Sequence, residues 1–170
     1  MATPHLAHLG HKRIAMVAGE FSFSDKSFHR WQGYCRALKE HGLTYDPDLV
    51  IQTRYTLNHG TQAVRQLLHS SNPPTAIFCS NDYLAIGAMQ GATALNYSIP
   101  QDLSVVGYDD MPLAAYLIPP LTTVHQPAFR MGEVGTEHLL QRIAHPECAP
   151  LQRLLDIKLV ERGSTATPNR

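Results

Sequence analysis

Short apolar runs rich in β-branched residues recur along this chain, and each gives way to a segment whose apolar positions repeat at helical spacing. That rhythm constrains the fold more than any other feature, because strands alternating with helices read as βα units. The first run, Arg13 to Ala18, closes at Gly19 and leads through a Ser/Phe-rich loop. The helix that follows carries Phe28, Trp31, Tyr34, Cys35 and Leu38, with Ser24 or Asp25 to cap its start and Gly42 its end. A second strand, Leu49 to Tyr55, precedes a helix opened by Asn58 that lines up Ala63, Val64, Leu67 and Leu68 and stops before Pro73. Thr75 to Cys79 forms the third strand.

The next helix starts at Asn81 or Asp82 and turns Leu84, Ala85, Ala88, Met89, Ala92 and Leu95 inward. Gly87 and Gly91 each cost it about 1 kcal/mol of helix propensity relative to alanine, so both are expected where another backbone comes close. Strands Leu103 to Tyr108 and Leu121 to His125, a helix from Phe129 to Ile143, a strand from Leu154 to Glu161 and a frayed polar tail complete the chain. The expected class is α/β: a doubly wound, mainly parallel sheet with helices on both faces and right-handed crossovers.

Composition narrows the functions available. With 170 residues, 44% of them apolar, the chain can pack one domain or one large lobe, and it is too apolar for a disordered segment. Lys and Arg number 14 against 14 Asp and Glu, and the four lysines, Lys12, Lys26, Lys39 and Lys158, are scattered. A nucleic-acid module needs a basic stripe to displace counterions, so this chain is not expected to bind DNA itself. Uncharged stretches such as Met111 to His125 are broken by prolines and predict no membrane span. The first residues place their bases after the apolar ones, the reverse of a secretory signal, and the expected compartment is the cytoplasm. Cys35, Cys79 and Cys148 form no C-x-x-C and read as free thiols.

Ligands of open parallel sheets bind at the carboxyl ends of the strands. The residues there are Phe21, Phe23 and Asp25, with Arg30 one turn into the helix, then Arg54-Tyr55, Ser80-Asn81-Asp82, Tyr108-Asp109-Asp110 and His125-Gln126. Carboxylates, a carboxamide, a guanidinium and an aromatic face suit a small polar ligand with a flat side, such as a sugar or a nucleobase. Plainer readings stand beside these. Asn81 or Asp82 caps a helix equally well, Arg30 suits a solvated helix surface, Tyr55 suits a rim, and Asp109-Asp110 suits a turn.

Phosphate-cradling glycines and a G-x-S-x-G elbow are both missing, so catalysis is not expected, and neither is a cofactor. His5, His8 and His11 recur every three residues, but no carboxylate stands near them. They are expected as surface histidines at a helix end, without a metal.

The order HLGHKRIAMVAG, R-W-Q-G-Y, PPTAIFCSNDYLAIGAM, IPQDLSVVGYDD, IPPLTTVHQP and LVERGST resembles the ligand-sensing region of the LacI/GalR family of bacterial transcription regulators. The resemblance covers nearly the whole chain. It implies a periplasmic-binding-protein-like fold of two lobes around an effector cleft, with operator DNA bound by a separate helix-turn-helix that lies outside this chain. Residues 1–125 are then the C-terminal lobe, opened by the end of a lead-in helix at 1–11. Residues 126–150 cross over and add a helix to the other lobe, 151–163 return as a strand, and 164–170 trail as a flexible tail.

By the same resemblance Arg30 clamps the effector, Tyr55 stacks on it, Asn81 and Asp109 bond its polar groups, and Gln126 joins them at the crossover. Phe23 and Asp25 belong to a loop that varies among relatives. Ile86, Tyr116 and Leu117 fall on the family's dimer face. A transport-type sugar-binding protein of the same fold is the alternative, and a Mg²⁺-dependent phosphatase using Asp109 and Asp110 is a more distant one.

Overall fold

The computed structural model describes residues 1–169. Its elements are α1 (Ala2–His8), β1 (Ile14–Gly19), α2 (Asp25–Glu40), β2 (Val50–Thr53), α3 (Leu57–Leu68), β3 (Ala76–Cys79), α4 (Asp82–Ala94), β4 (Ser104–Asp109), β5 (Thr122–His125), α5 (Ala128–Ala144) and β6 (Lys158–Val160). They build one six-stranded sheet in the order β2-β1-β3-β4-β5-β6. The first five strands are parallel, and β6 returns antiparallel against β5 with His125 opposite Lys158. The chain order reverses at β1 and β3, which opens a crevice at their carboxyl ends.

Alternate residues of each central strand face two separate cores. Ala15, Val17, Ile77, Cys79 and Val105 pack under α3 and α4, while Ile14, Met16, Ala18, Phe78 and Val106 pack under α1 and α2. Burial on both faces explains why these strands are continuous apolar runs. Ser24 caps α2 by accepting from the Ser27 amide, and Gly42, at φ 66°, lets the chain leave it. Thr56, rather than Asn58, opens α3: its hydroxyl accepts from the His59 amide.

Gly87 and Gly91 sit where close approach was expected. A Cβ on Gly87 would overlap the Leu57 carbonyl, one on Gly91 would lie 2.5 Å from Val64 Cγ1, and Gly60 on α3 faces the Leu84 carbonyl in return. The two helices therefore touch backbone to backbone.

Two expectations are corrected. The end of the chain is not a frayed tail: Ser164 is fully buried, accepts from the Thr122 amide at 2.8 Å and donates to the Val105 carbonyl at 2.6 Å. Those strand-end groups would otherwise be buried without partners, which is why a polar segment is drawn in. His11 is not a surface histidine either. It is 2% exposed, its Nε2 donates to the Ala166 carbonyl at 2.9 Å, and its Nδ1 meets the Thr75 hydroxyl at 2.9 Å. This side chain stitches the lead-in segment, β3 and the chain end together.

Burial holds the His11 pKa below its ordinary value despite the Ala166 carbonyl. A histidine that stays neutral when folded but protonates when unfolded makes stability fall as pH drops below about 6.5. In urea melts between about pH 5 and 7 the His11 contribution should therefore appear as a difference from His11→Gln, whose stability rises less or falls more with pH; equal slopes would mean that His11 is not a titrating group.

α5 leaves the sheet after Gln126, and only Val134 of it is buried. Phe129, Leu139, Leu140 and Ile143 are 60–82% exposed, so its apolar stripe has no covering layer within the chain. The final strand is shorter than the expected run, with 154–157 irregular and only Lys158–Val160 paired.

Candidate functional site

The site is assembled from four strand ends. Arg30 lies one turn into α2 and reaches across the carboxyl end of the sheet. Its Nη1 donates to the Ser80 carbonyl after β3 at 2.7 Å, its Cζ stands 3.7 Å above the Tyr108 ring, and its Nη2 lies 3.9 Å from Asp109 Oδ1. One bond, one cation–π contact and one ion pair hold the guanidinium in place. Gln126, just after β5, donates through Nε2 to Asp109 Oδ1 at 2.7 Å. Burial pushes the Asp109 carboxyl up to about 6, with Arg30 pulling the other way.

Tyr55 joins from the far side. Its ring packs on Gly19, where a Cβ would come within 2.5 Å of Cε2, and its hydroxyl is hydrogen-bonded to the Ser27 hydroxyl. Burial alone would raise the phenol, but hydroxyls of Ser27, Ser80 and Ser24 and the Arg30 guanidinium outweigh it and the pKa falls below its ordinary value. Arg30, Tyr55, Asp109 and Gln126 thus share one edge. Their groups offer two hydrogen-bond acceptors, several donors and an aromatic side.

Other expected residues are placed differently. Asn81 caps α4 through its side-chain oxygen, which accepts from the Leu84 amide at 2.9 Å, and its NH₂ has no such partner in the cap. Phe23 is 86% exposed on the loop before α2, and Asp25 is exposed in the first turn of that helix. Among the described residues neither is hydrogen-bonded to or ion-paired with Arg30 or Asp109, while Phe23 lines a pocket with Tyr55 and Arg54. Ile86, expected on a dimer face, is 7% exposed within the single chain, and Tyr83 is the exposed aromatic of α4. Tyr116 is 82% exposed, Leu117 is half-buried, and Ile118 beside them stands free.

Asp109 and Asp110 sit in consecutive left-handed conformations, φ 118° and 57°, which non-glycine residues adopt only where surrounding contacts enforce them. The turn sends the two carboxylates to different partners. Asp110 Oδ1 accepts from Arg162 Nη2 at 2.6 Å and its Oδ2 meets His125 Nδ1 at 3.0 Å. These partners lie on β5 and just after β6, the two strands that run to and from α5. The carboxylates do not converge on one point, which removes the geometric basis for an Asp109–Asp110 magnesium site.

Asp82 supports the turn from below: it is fully buried, accepts from Thr123 Oγ1 at 2.6 Å and from the Met111 amide at 2.7 Å. Burial raises its pKa against those bonds. Tyr108 and Asp110 were among the strand-end candidates without their present partners, and Ser27 and Arg162 were not singled out, since each depends on a partner far along the chain. The sharpest available signal was the unusual Asp-Asp pair directly after a strand.

His5, His8 and His11 do not gather. His5 Nε2 is bonded to the Thr165 hydroxyl at 3.0 Å and His11 points into the core. Among the described residues, no three or more His, Cys, Asp or Glu side chains are grouped to hold a metal, and no helix is long and apolar enough to cross a membrane.

Residues 3–165 match the model of a family described as a periplasmic binding protein-like domain. The HTH-type transcriptional repressor CytR of Escherichia coli K12 is 37% identical over 164 residues, which are 96% of this chain and 48% of that protein. The ribose operon repressor of Haemophilus influenzae is 40% identical over 146 residues, 86% of this chain and 44% of its own length. The chain thus spans about half the length of these curated relatives.

Among solved structures, a LacI family transcriptional regulator from Enterococcus faecium with bound ribose superposes with a TM-score of 0.87 at 35% identity, covering 98% of this chain and 61% of that one. The CelR–cellobiose complex superposes at 0.90 and 34%, covering 95% and 49%. Open parallel sheets hold ligands at the carboxyl ends of their strands, the edge that carries Arg30, Asp109 and Gln126. On sequence and structure together, the chain belongs to the periplasmic binding protein-like domain family of LacI-type transcriptional regulators.

Proposed function

We propose that this chain is the sensing lobe of a LacI-type repressor, and that Arg30, Asp109, Gln126 and Tyr55 form one wall of a cleft for a small polyhydroxyl effector such as a pentose. The observation that carries this reading is the Arg30–Asp109–Gln126 arrangement at the carboxyl edge of the sheet, held rigid from behind by Ser80 and Tyr108. The carboxylate accepts sugar hydroxyls, the guanidinium and amide donate to them, and the Tyr55 ring covers an apolar face of the ring. The role is binding without catalysis, in the cytoplasm, as a homodimer that engages operator DNA through a helix-turn-helix beyond these residues. The effector acts by favouring one lobe orientation over another.

Relatives with ribose and cellobiose bound supply the ligand class to try. Because one wall alone pays the full cost of ordering a ligand for part of the contacts, affinity should be weak, and ligand-observed NMR is the fitting method. Saturation transfer from the chain to ribose should be seen and should vanish in Arg30→Ala and Asp109→Ala. Persistence of the signal in both variants would place the sugar elsewhere.

The raised pKa of Asp109 adds a pH signature. Only the ionised carboxylate accepts from two hydroxyls, so binding should weaken as pH falls through about 6. Folding responds in the opposite sense. The folded state holds this proton more tightly than the unfolded one, so Asp109 costs stability as pH rises from about 4 to 6. Asp109→Asn should flatten both profiles; a binding profile that keeps its midpoint in the variant would exclude Asp109 as the titrating group.

A further inference from the structure

Away from the effector edge, α1 and α2 end side by side. His8 is the last residue of α1, His41 follows the last residue of α2, and glycines at φ 97° (Gly10) and 66° (Gly42) turn the chain away from each. The C-terminal ends of two helices, both carrying partial negative charge, therefore converge on a pair of imidazoles.

The tautomer of His41 is set by its surroundings. Nδ1 lies 3.0 Å from the Ala37 carbonyl and must carry the proton it donates there, which leaves Nε2 as a bare lone pair. A backbone carbonyl on the far nitrogen is the usual means of orienting a metal-binding histidine. Nε2 of His41 stands 3.2 Å from Nε2 of His8, with ring centroids 4.8 Å apart and planes at 64°.

A tetrahedral cation about 2.1 Å from both nitrogens holds them about 3.4 Å apart, so the observed 3.2 Å separation is close to the bite such a cation needs.

We propose that His8 and His41 form a two-imidazole chelate for a borderline divalent transition metal, Cu²⁺, Ni²⁺ or Zn²⁺, with water completing the coordination. His8 is exposed and His41 half-buried, so the cation enters from solvent. Neighbouring groups are already engaged. His5 is bonded to Thr165 and lies 3.9 Å from Glu161. Imidazole nitrogens select this class of metal over Mg²⁺ and Ca²⁺, and affinity should follow the order Cu²⁺ above Ni²⁺ and Zn²⁺. Bound metal would pin the end of α1, the helix leading into β1, to the end of α2.

Isothermal titration of the full chain with NiCl₂ at about pH 7.5, where imidazoles are neutral, tests this directly. We expect one saturable site per chain, weakened roughly tenfold or more in His8→Gln and in His41→Gln, with the double variant no weaker than either single one. His41→Gln also removes the bond to Ala37, so the exposed His8→Gln is the deciding variant, and its melting temperature without metal should match the unmutated chain. Absence of a saturable site, or a His8→Gln affinity within about threefold of the unmutated chain, overturns the proposal and leaves the pair as an imidazole–imidazole hydrogen bond.

Discussion

Gly87→Ala is expected to destabilise the chain by at least about 2 kcal/mol, although alanine is the better helix former by about 1 kcal/mol. The added Cβ would overlap the Leu57 carbonyl, and backbone cannot swing aside as a side chain can. Relief requires α3 and α4 to separate, which loosens the packing of Leu84, Ala88, Val64 and Leu67 between them. Gly33→Ala is the matched control. Gly33 also lies within a helix, but nothing stands within 4 Å of the position its Cβ would take. There, propensity should win, with a gain of about 0.5–1 kcal/mol. Opposite signs in chemical denaturation would confirm that contact, and not propensity, keeps glycine at 87. Equal signs would mean that the two helices are not in backbone contact.

The second large effect concerns Asp82. Asp82→Ala should cost about 2–4 kcal/mol, because the Met111 amide and the Thr123 hydroxyl lose a buried acceptor together. The gain from no longer burying a carboxylate offsets part of this, which is why the range does not reach higher. Asp82→Asn keeps the shape and one oxygen, but turns an NH₂ toward a donor, and should cost about 1–3 kcal/mol.

The consequence reaches the site. Met111 closes the turn that holds Asp109 and Asp110 in left-handed conformations, so hydrogen exchange at the Met111 amide should speed up in both variants. Unchanged exchange at Met111 would show that the turn is held without Asp82.

Much of this architecture was legible because it is written in local patterns. Apolar runs flanked by caps located the strands and helices, and two glycines in a helix announced a close crossing. Arg30 and Asp109 stood by position among the polar residues at the carboxyl ends of parallel strands, and the family resemblance singled them out. What escaped depends on pairings between distant segments. Ser164 looks like part of a polar tail until the unpaired groups of Thr122 and Val105 need a partner. His11 looks like a surface histidine until Thr75 and Ala166 close around it. Asn81 offers both a cap and a ligand contact by type, and only the folded helix shows the Leu84 amide claiming its oxygen.

The double left-handed turn after β4 also has a mechanical meaning. Asp109 faces the Arg30 and Gln126 side, while Asp110 grips Arg162 and His125 on the strands running to and from α5. A single peptide unit separates the two grips, so they behave as the opposite arms of one short lever with almost no slack. Under the proposed function, a shift of Asp109 on ligand binding would reach the Asp110 contacts across that one peptide unit.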